Sequence, residues 1–105
     1  MKVAFHVDEL GKLSEARHNI HNLLKVDPNA TIVLLINGEA IQGYLLPNQM
    51  SFIENNPTVE FHACNSAMKV YRVEKSDLHE AVEVVPAGVM DLIRLQHDGF
   101  AYIKP

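Results

Sequence analysis

Thr31-Ile32-Val33-Leu34-Leu35-Ile36 is rich in β-branched residues and apolar throughout after its first position. With no polar alternation, it suits a strand covered on both faces, as in the middle of a parallel sheet. Val3 to Val7 has the same character, broken only by His6. Thr58 to Ala63 reads as a third strand, Val82 to Val85 as a short fourth and Phe100 to Ile103 as a fifth.

Helical patterns fill the intervals. Leu13, Ala16, Ile20, Leu23 and Leu24 share one helix face, with Glu15, Arg17, His18, His21 and Lys25 opposite. That helix is predicted to stop before Asp27-Pro28-Asn29. Asn37-Gly38-Glu39 closes the second strand in a turn where glycine adopts angles other residues avoid. Ala40, Ile41, Tyr44 and Leu45 trace a short helix broken before Pro47, and Met50, Phe52 and Ile53 a second short piece. The surroundings of Pro47 and Pro57 are expected to be irregular or mobile. Ala67, Met68, Val70 and Tyr71 form a helical pattern after the third strand, with Asn65 and Ser66 as N-cap types. Glu74 to Glu80 reads as a loop or one helical turn. Val89, Leu92, Ile93 and Gln96 begin the last helix, which Asp98-Gly99 ends. Strands and helices thus alternate from end to end. This predicts an α/β fold, one three-layer α/β/α domain over residues 1–105 with a five-stranded, mainly parallel sheet and right-handed crossovers.

Composition narrows the function. Hydrophobic residues make up 48% of the 105 and charged ones 21%, a globular balance. A net charge of −4, with nine scattered Lys and Arg, argues against nucleic-acid binding, which needs clustered cations. A single cysteine forms no internal disulfide, the amino-terminal apolar stretch is too short for a signal peptide, and no run is long enough for a membrane span. A cytoplasmic protein is expected. The six histidines make no H-x-x-x-H pair.

Open parallel sheets bind ligands beyond the carboxyl ends of their strands. That edge gathers His6, Asp8, Asn37, Gly38, Glu39, Cys64, Asn65, Ser66, Pro86, Ala87 and Gly88. Cys64, at a strand-to-helix turn, is the one strong nucleophile, and backbone N–H groups at a helix N-terminus favour its thiolate. The other reading is a small buried apolar residue, since free cysteines are among the most buried of all types. His6 is the nearest candidate base, or else a hydrogen-bonded core histidine; Asn37-Gly38 is an anion-binding turn or a simple strand terminator. Asp8 and Glu39 read first as acids favoured at helix N-termini. His62 alternates with Cys64 and reads as an edge histidine packed on a neighbour. A histidine-dependent metal site on His6, His62 and Cys64 is a third, weaker possibility. The first strand's turn, Asp8-Glu9-Leu10-Gly11-Lys12, lacks the glycine-rich phosphate loops, so no nucleotide cofactor is expected.

Five segments, taken together, carry a resemblance. They are Lys2-Val3-Ala4-Phe5-His6-Val7-Asp8-Glu9, Asn37-Gly38-Glu39-Ala40, Phe61-x-Ala63-Cys64-x-Ser66, Val84-Val85-Pro86-Ala87-Gly88-Val89 and Gly99-Phe100-Ala101-Tyr102-Ile103-Lys104-Pro105. In this order they resemble the DsrE/DsrF-like family, and its short bacterial members most. The resemblance implies a three-layer fold on a five-stranded parallel sheet and assembly into homotrimers or hexamers. It also implies a cysteine that accepts a sulfane sulfur as a persulfide and passes it to a partner protein, with Cys64 at the matching position. One cysteine carries one sulfur and leaves no disulfide relay within the chain. The alternative is a non-catalytic oligomeric module whose strand-end pocket, drawn from Asn37, Gly38, Asn65, Ser66, Pro86, Ala87 and Gly88, holds a small ligand or a partner's segment.

Overall fold

A computed structural model describes all residues, 1–105. Five strands, β1 (Lys2–Val7), β2 (Thr31–Ile36), β3 (Val59–Cys64), β4 (Val82–Val85) and β5 (Ala101–Ile103), form one sheet in the order β4-β3-β2-β1-β5. Every pairing is parallel. The apolar run Thr31–Ile36 is the middle strand, buried from Ile32 to Ile36.

The chain steps from β1 to β4 in one direction and then returns past the whole sheet to lay β5 beside β1. Right-handed crossovers put the first three connections on one face and the last on the other. The first face therefore carries α1 (Leu13–Val26), a 3₁₀ helix (Gly38–Leu45), α2 (Pro47–Asn55) and α3 (Asn65–Val70). The second carries α4 (Gly88–His97) alone. Burial follows this asymmetry. A core of 22 buried residues joins Val3, Phe5, Ile32, Leu34 and Phe61 to Leu13, Ile20 and Tyr44 on the first face. The second face has only two clusters of three, Ala4 and Val33 with Leu95, and Leu35 and Val85 with Leu92.

Several local expectations are corrected. Pro47 does not mark irregular chain; it opens α2 at the first helical position, where its missing N–H costs no hydrogen bond and its fixed φ already fits. Cys64 itself occupies the N-cap of α3, so Asn65 and Ser66 are helical residues rather than caps. The α3 pattern ends sooner than its apolar spacing suggests, leaving Val70 and Tyr71 exposed. Gly38 takes φ +54°, and a Cβ there would stand 3.0 Å from the Asp8 carbonyl oxygen, so the turn does need glycine. No helix is long and apolar enough to cross a membrane.

Candidate functional site

The first turn of α4 lies across the carboxyl ends of β2 and β3. Glycine makes this approach possible: a Cβ on Gly88 would stand 3.1 Å from Leu35 Cδ1 and 3.3 Å from Asn37 Cβ. At this range the Gly88 N–H donates to Cys64 Sγ, 3.3 Å away. A backbone N–H from the first turn of a helix favours negative charge on the sulfur it faces. Ser66 Oγ donates to the Pro86 carbonyl at 3.3 Å, tying the start of α3 to the turn that leads into α4. Cys64 is only 6% exposed. It is both strand-end cysteine and buried thiol, part of the larger apolar core and also in contact with the Gly88 N–H.

The remaining candidates are divided by the fold. Asn37 lies against Gly88 and joins the Cys64 group. Pro86 and Ala87 line a surface groove with Met90 and Arg94, while Asn65 lines a different one with Lys69 and Arg72. Cys64 lines neither. Gly38 packs on Asp8, whose carboxylate pairs with Lys104 at 3.2 Å instead of serving a helix. Glu39 does fall in the first turn of the Gly38–Leu45 helix.

His6 does not touch Cys64. Its Nδ1 meets the Tyr102 hydroxyl at 2.6 Å and its Nε2 meets Asn37 Oδ1 at 2.8 Å. With an amide oxygen as acceptor, Nε2 carries the ring hydrogen and Nδ1 accepts from Tyr102, so both nitrogens are engaged. The register sets His6 two strands from β3, opposite Leu35, which is opposite His62.

His62 is not an edge histidine packed on a neighbour. It is buried, and its Nδ1 lies 2.7 Å from Oδ2 of Asp91, which is itself buried on α4. Arg94 donates to the other oxygen of Asp91 at 2.7 Å. The second ring nitrogen, Nε2, faces Glu60 Oε2 at 3.3 Å and Glu83 Oε2 at 3.4 Å. From beneath, the Tyr44 hydroxyl donates to the His62 carbonyl at 2.8 Å. The trio of His6, His62 and Cys64, the weaker of the possibilities, is therefore not assembled, since each has partners of its own.

Glu60, Glu83 and Asp91 were not among the residues singled out from sequence. Only Glu60 was within reach of it, since it alternates with His62 and shares its face. Glu83 was not, because it lies opposite His62 only through the β3–β4 register, nor was Asp91, whose place depends on how α4 docks. Gly88 and Asp91, three apart on the helix, meet Cys64 and His62, two apart on the strand.

A model of the DsrE/DsrF-like family matches residues 19–105. Among solved structures, that of MTH1491, a protein of unknown function from Methanobacterium thermoautotrophicum, is 25% identical with a TM-score of 0.89, over 99% of this chain and 98% of that one. The YchN protein of E. coli shares the fold at 11% identity and a TM-score of 0.77, over 99% of this chain and 97% of its own. Among curated proteins nothing matches.

Proposed function

The chain belongs to the DsrE/DsrF-like family, and on that footing we propose that it is a sulfur carrier holding a sulfane sulfur as a persulfide on Cys64. The observation that carries this reading is the Gly88 N–H directed at Sγ from the first turn of α4. Thiolate is the form that attacks, and a fixed N–H donor favours it without recruiting water.

The step balances without an oxidant. The Cys64 thiolate attacks the outer sulfur of a donor persulfide, R–S–SH; a new S–S bond forms on Sγ, the donor's S–S bond breaks, and R–S⁻ leaves with the electron pair. Delivery is the same exchange in reverse, with an acceptor thiolate attacking the outer sulfur and Cys64 departing as thiolate. The donor and acceptor are proteins or small thiols that a single chain does not specify. Burial of Cys64 requires the first turn of α4 to move aside for either exchange. A free thiol of this kind suits a reducing compartment such as the cytoplasm.

Incubation with a low-molecular-weight persulfide and intact-mass measurement should give a gain of one sulfur, absent in Cys64→Ser. An unreacted wild type, or the same adduct on the Ser variant, rules the reading out. The burial of Cys64 is the observation that favours the second reading, an oligomeric binding module. In that case the grooves beside Pro86 and Asn65 hold the ligand, and alkylation of Cys64 is slow at every pH.

Assembly of copies belongs to both readings. A parallel sheet is stable with both faces covered, yet α4 alone covers the second face and turns Val89, Met90 and Ile93 outward at 64%, 65% and 57% exposure. A second copy of this chain seated on α4 would remove that apolar stripe from water.

A further inference from the structure

We propose that Glu60, His62 and Glu83 form a binding site for a divalent zinc-type cation, held on the β3–β4 edge of the sheet and separate from Cys64. The ring's hydrogen bonding is the starting point. Asp91 accepts from Arg94 through Oδ1, and its Oδ2 lies 2.7 Å from His62 Nδ1. A carboxylate has no hydrogen to return, so the ring hydrogen sits on Nδ1. The Nε2 lone pair of the neutral ring then points out of the core at two further carboxylate oxygens. One ring nitrogen and two carboxylate oxygens converge on one point at the sheet edge. A cation placed between them satisfies all three.

The geometry fits a small tetrahedral ion. Zinc bonds to nitrogen and oxygen of about 2.0–2.2 Å imply a separation of roughly 3.3–3.5 Å between neighbouring ligand atoms. The observed separations from Nε2 are 3.3 Å to Glu60 and 3.4 Å to Glu83, and all three ligand atoms lie within 4.8 Å of one another. Neutral imidazole with two carboxylates offsets the charge of a divalent ion and suits zinc better than the softer or larger metals. The His62 ring is 3% exposed and held by Asp91, the carboxylate–histidine arrangement that orients a ligand ring and raises its basicity. Glu60 and Glu83, at 64% and 65% side-chain exposure, close on the ion from the solvent side. Three protein ligands leave a fourth position for water or an incoming group.

The test uses the full chain in a Cys64→Ser background, so that thiolate binding of zinc plays no part and the outcome is independent of the sulfur reading. Protein stripped with chelator is titrated with ZnCl₂ by calorimetry. One equivalent per chain is expected, with affinity falling at least tenfold in Glu60→Gln and in Glu83→Gln. Both substitutions are at exposed side chains, so folding is preserved and circular dichroism verifies it. Asp91→Asn, acting through the ring, should weaken zinc roughly 10- to 100-fold. Absence of zinc uptake by Cys64→Ser, or uptake undiminished in both glutamine variants, overturns the site.

Discussion

Tyr44 lies fully buried beneath β3, on the face away from α4, and its hydroxyl donates to the His62 carbonyl. Burial raises its ionisation well above the ordinary 10.0. The sign of the pH effect follows. Above about pH 10 an unfolded tyrosine releases its proton while the folded one keeps it, so the unfolded state binds fewer protons and stability falls as pH rises. Below that pH the contribution is complete. Tyr44→Phe should cost about 1 kcal/mol near neutral pH through the lost hydrogen bond, and the deficit should narrow as pH is raised past 10. Urea unfolding of both proteins at neutral and alkaline pH measures this; a deficit that widens at high pH contradicts the buried neutral hydroxyl. Cys64 belongs to the same scale. Its sequence context offered two readings, thiolate or buried residue; the fold buries the sulfur and sets the Gly88 N–H against it.

Among the elements, α4 organises the site. Its first turn supplies Gly88 to Cys64 and Asp91 to His62, and its buried Leu92 and Leu95 form the second core. A helix that covers a face alone has few apolar contacts holding its end, the condition for local opening. Gly88→Ala places a methyl against Leu35 and Asn37 Cβ, and the latter is fixed to the backbone. The turn should lift, the Sγ hydrogen bond lengthen, and Cys64 react with iodoacetamide several-fold faster than in wild type. Alkylation at the wild-type rate would show that the first turn does not control access. Sequence patterning placed this helix between Val89 and Asp98-Gly99, but of its patterned apolar residues only Leu92 faces the sheet, while Val89 and Ile93 face outward. Its partner strands stayed hidden, because an amphipathic stripe records that a face is buried without recording against what.

At the scale of the molecule, the two sheet faces are unequal. Three connections shield one and a single helix the other, while β5 stands as an exposed edge strand beside β1. Tyr44 and Met68 are core residues; the exposed apolar stripe is Val89, Met90 and Ile93. Ile93→Glu puts a charge at the centre of that stripe. Light scattering after gel filtration should find wild type as an oligomer and Ile93→Glu shifted towards monomer, with its circular dichroism retained. A monomeric wild type, or an unaltered oligomer in the variant, removes α4 from the assembly.

Element type, order and parallel direction follow from local chemistry alone. A strand covered on both faces must be apolar at successive positions, as Ile32 to Ile36 are, and consecutive parallel strands require a crossover long enough for a helix. The exceptions were also local: Pro47 reads equally as a break or as a first helical residue, and only the chain's continuation distinguishes them. The neighbours of each side chain are a different kind of information. That β5 returns beside β1, carrying α4 back across the second face, depends on the strand order. From that return come Gly88 on Cys64 and Asp91 on His62, pairs 24 and 29 residues apart. Periodicity reports whether a residue is buried; only the packed sheet and helix decide which groups share the space, and so which sulfur meets an N–H and which imidazole meets a carboxylate.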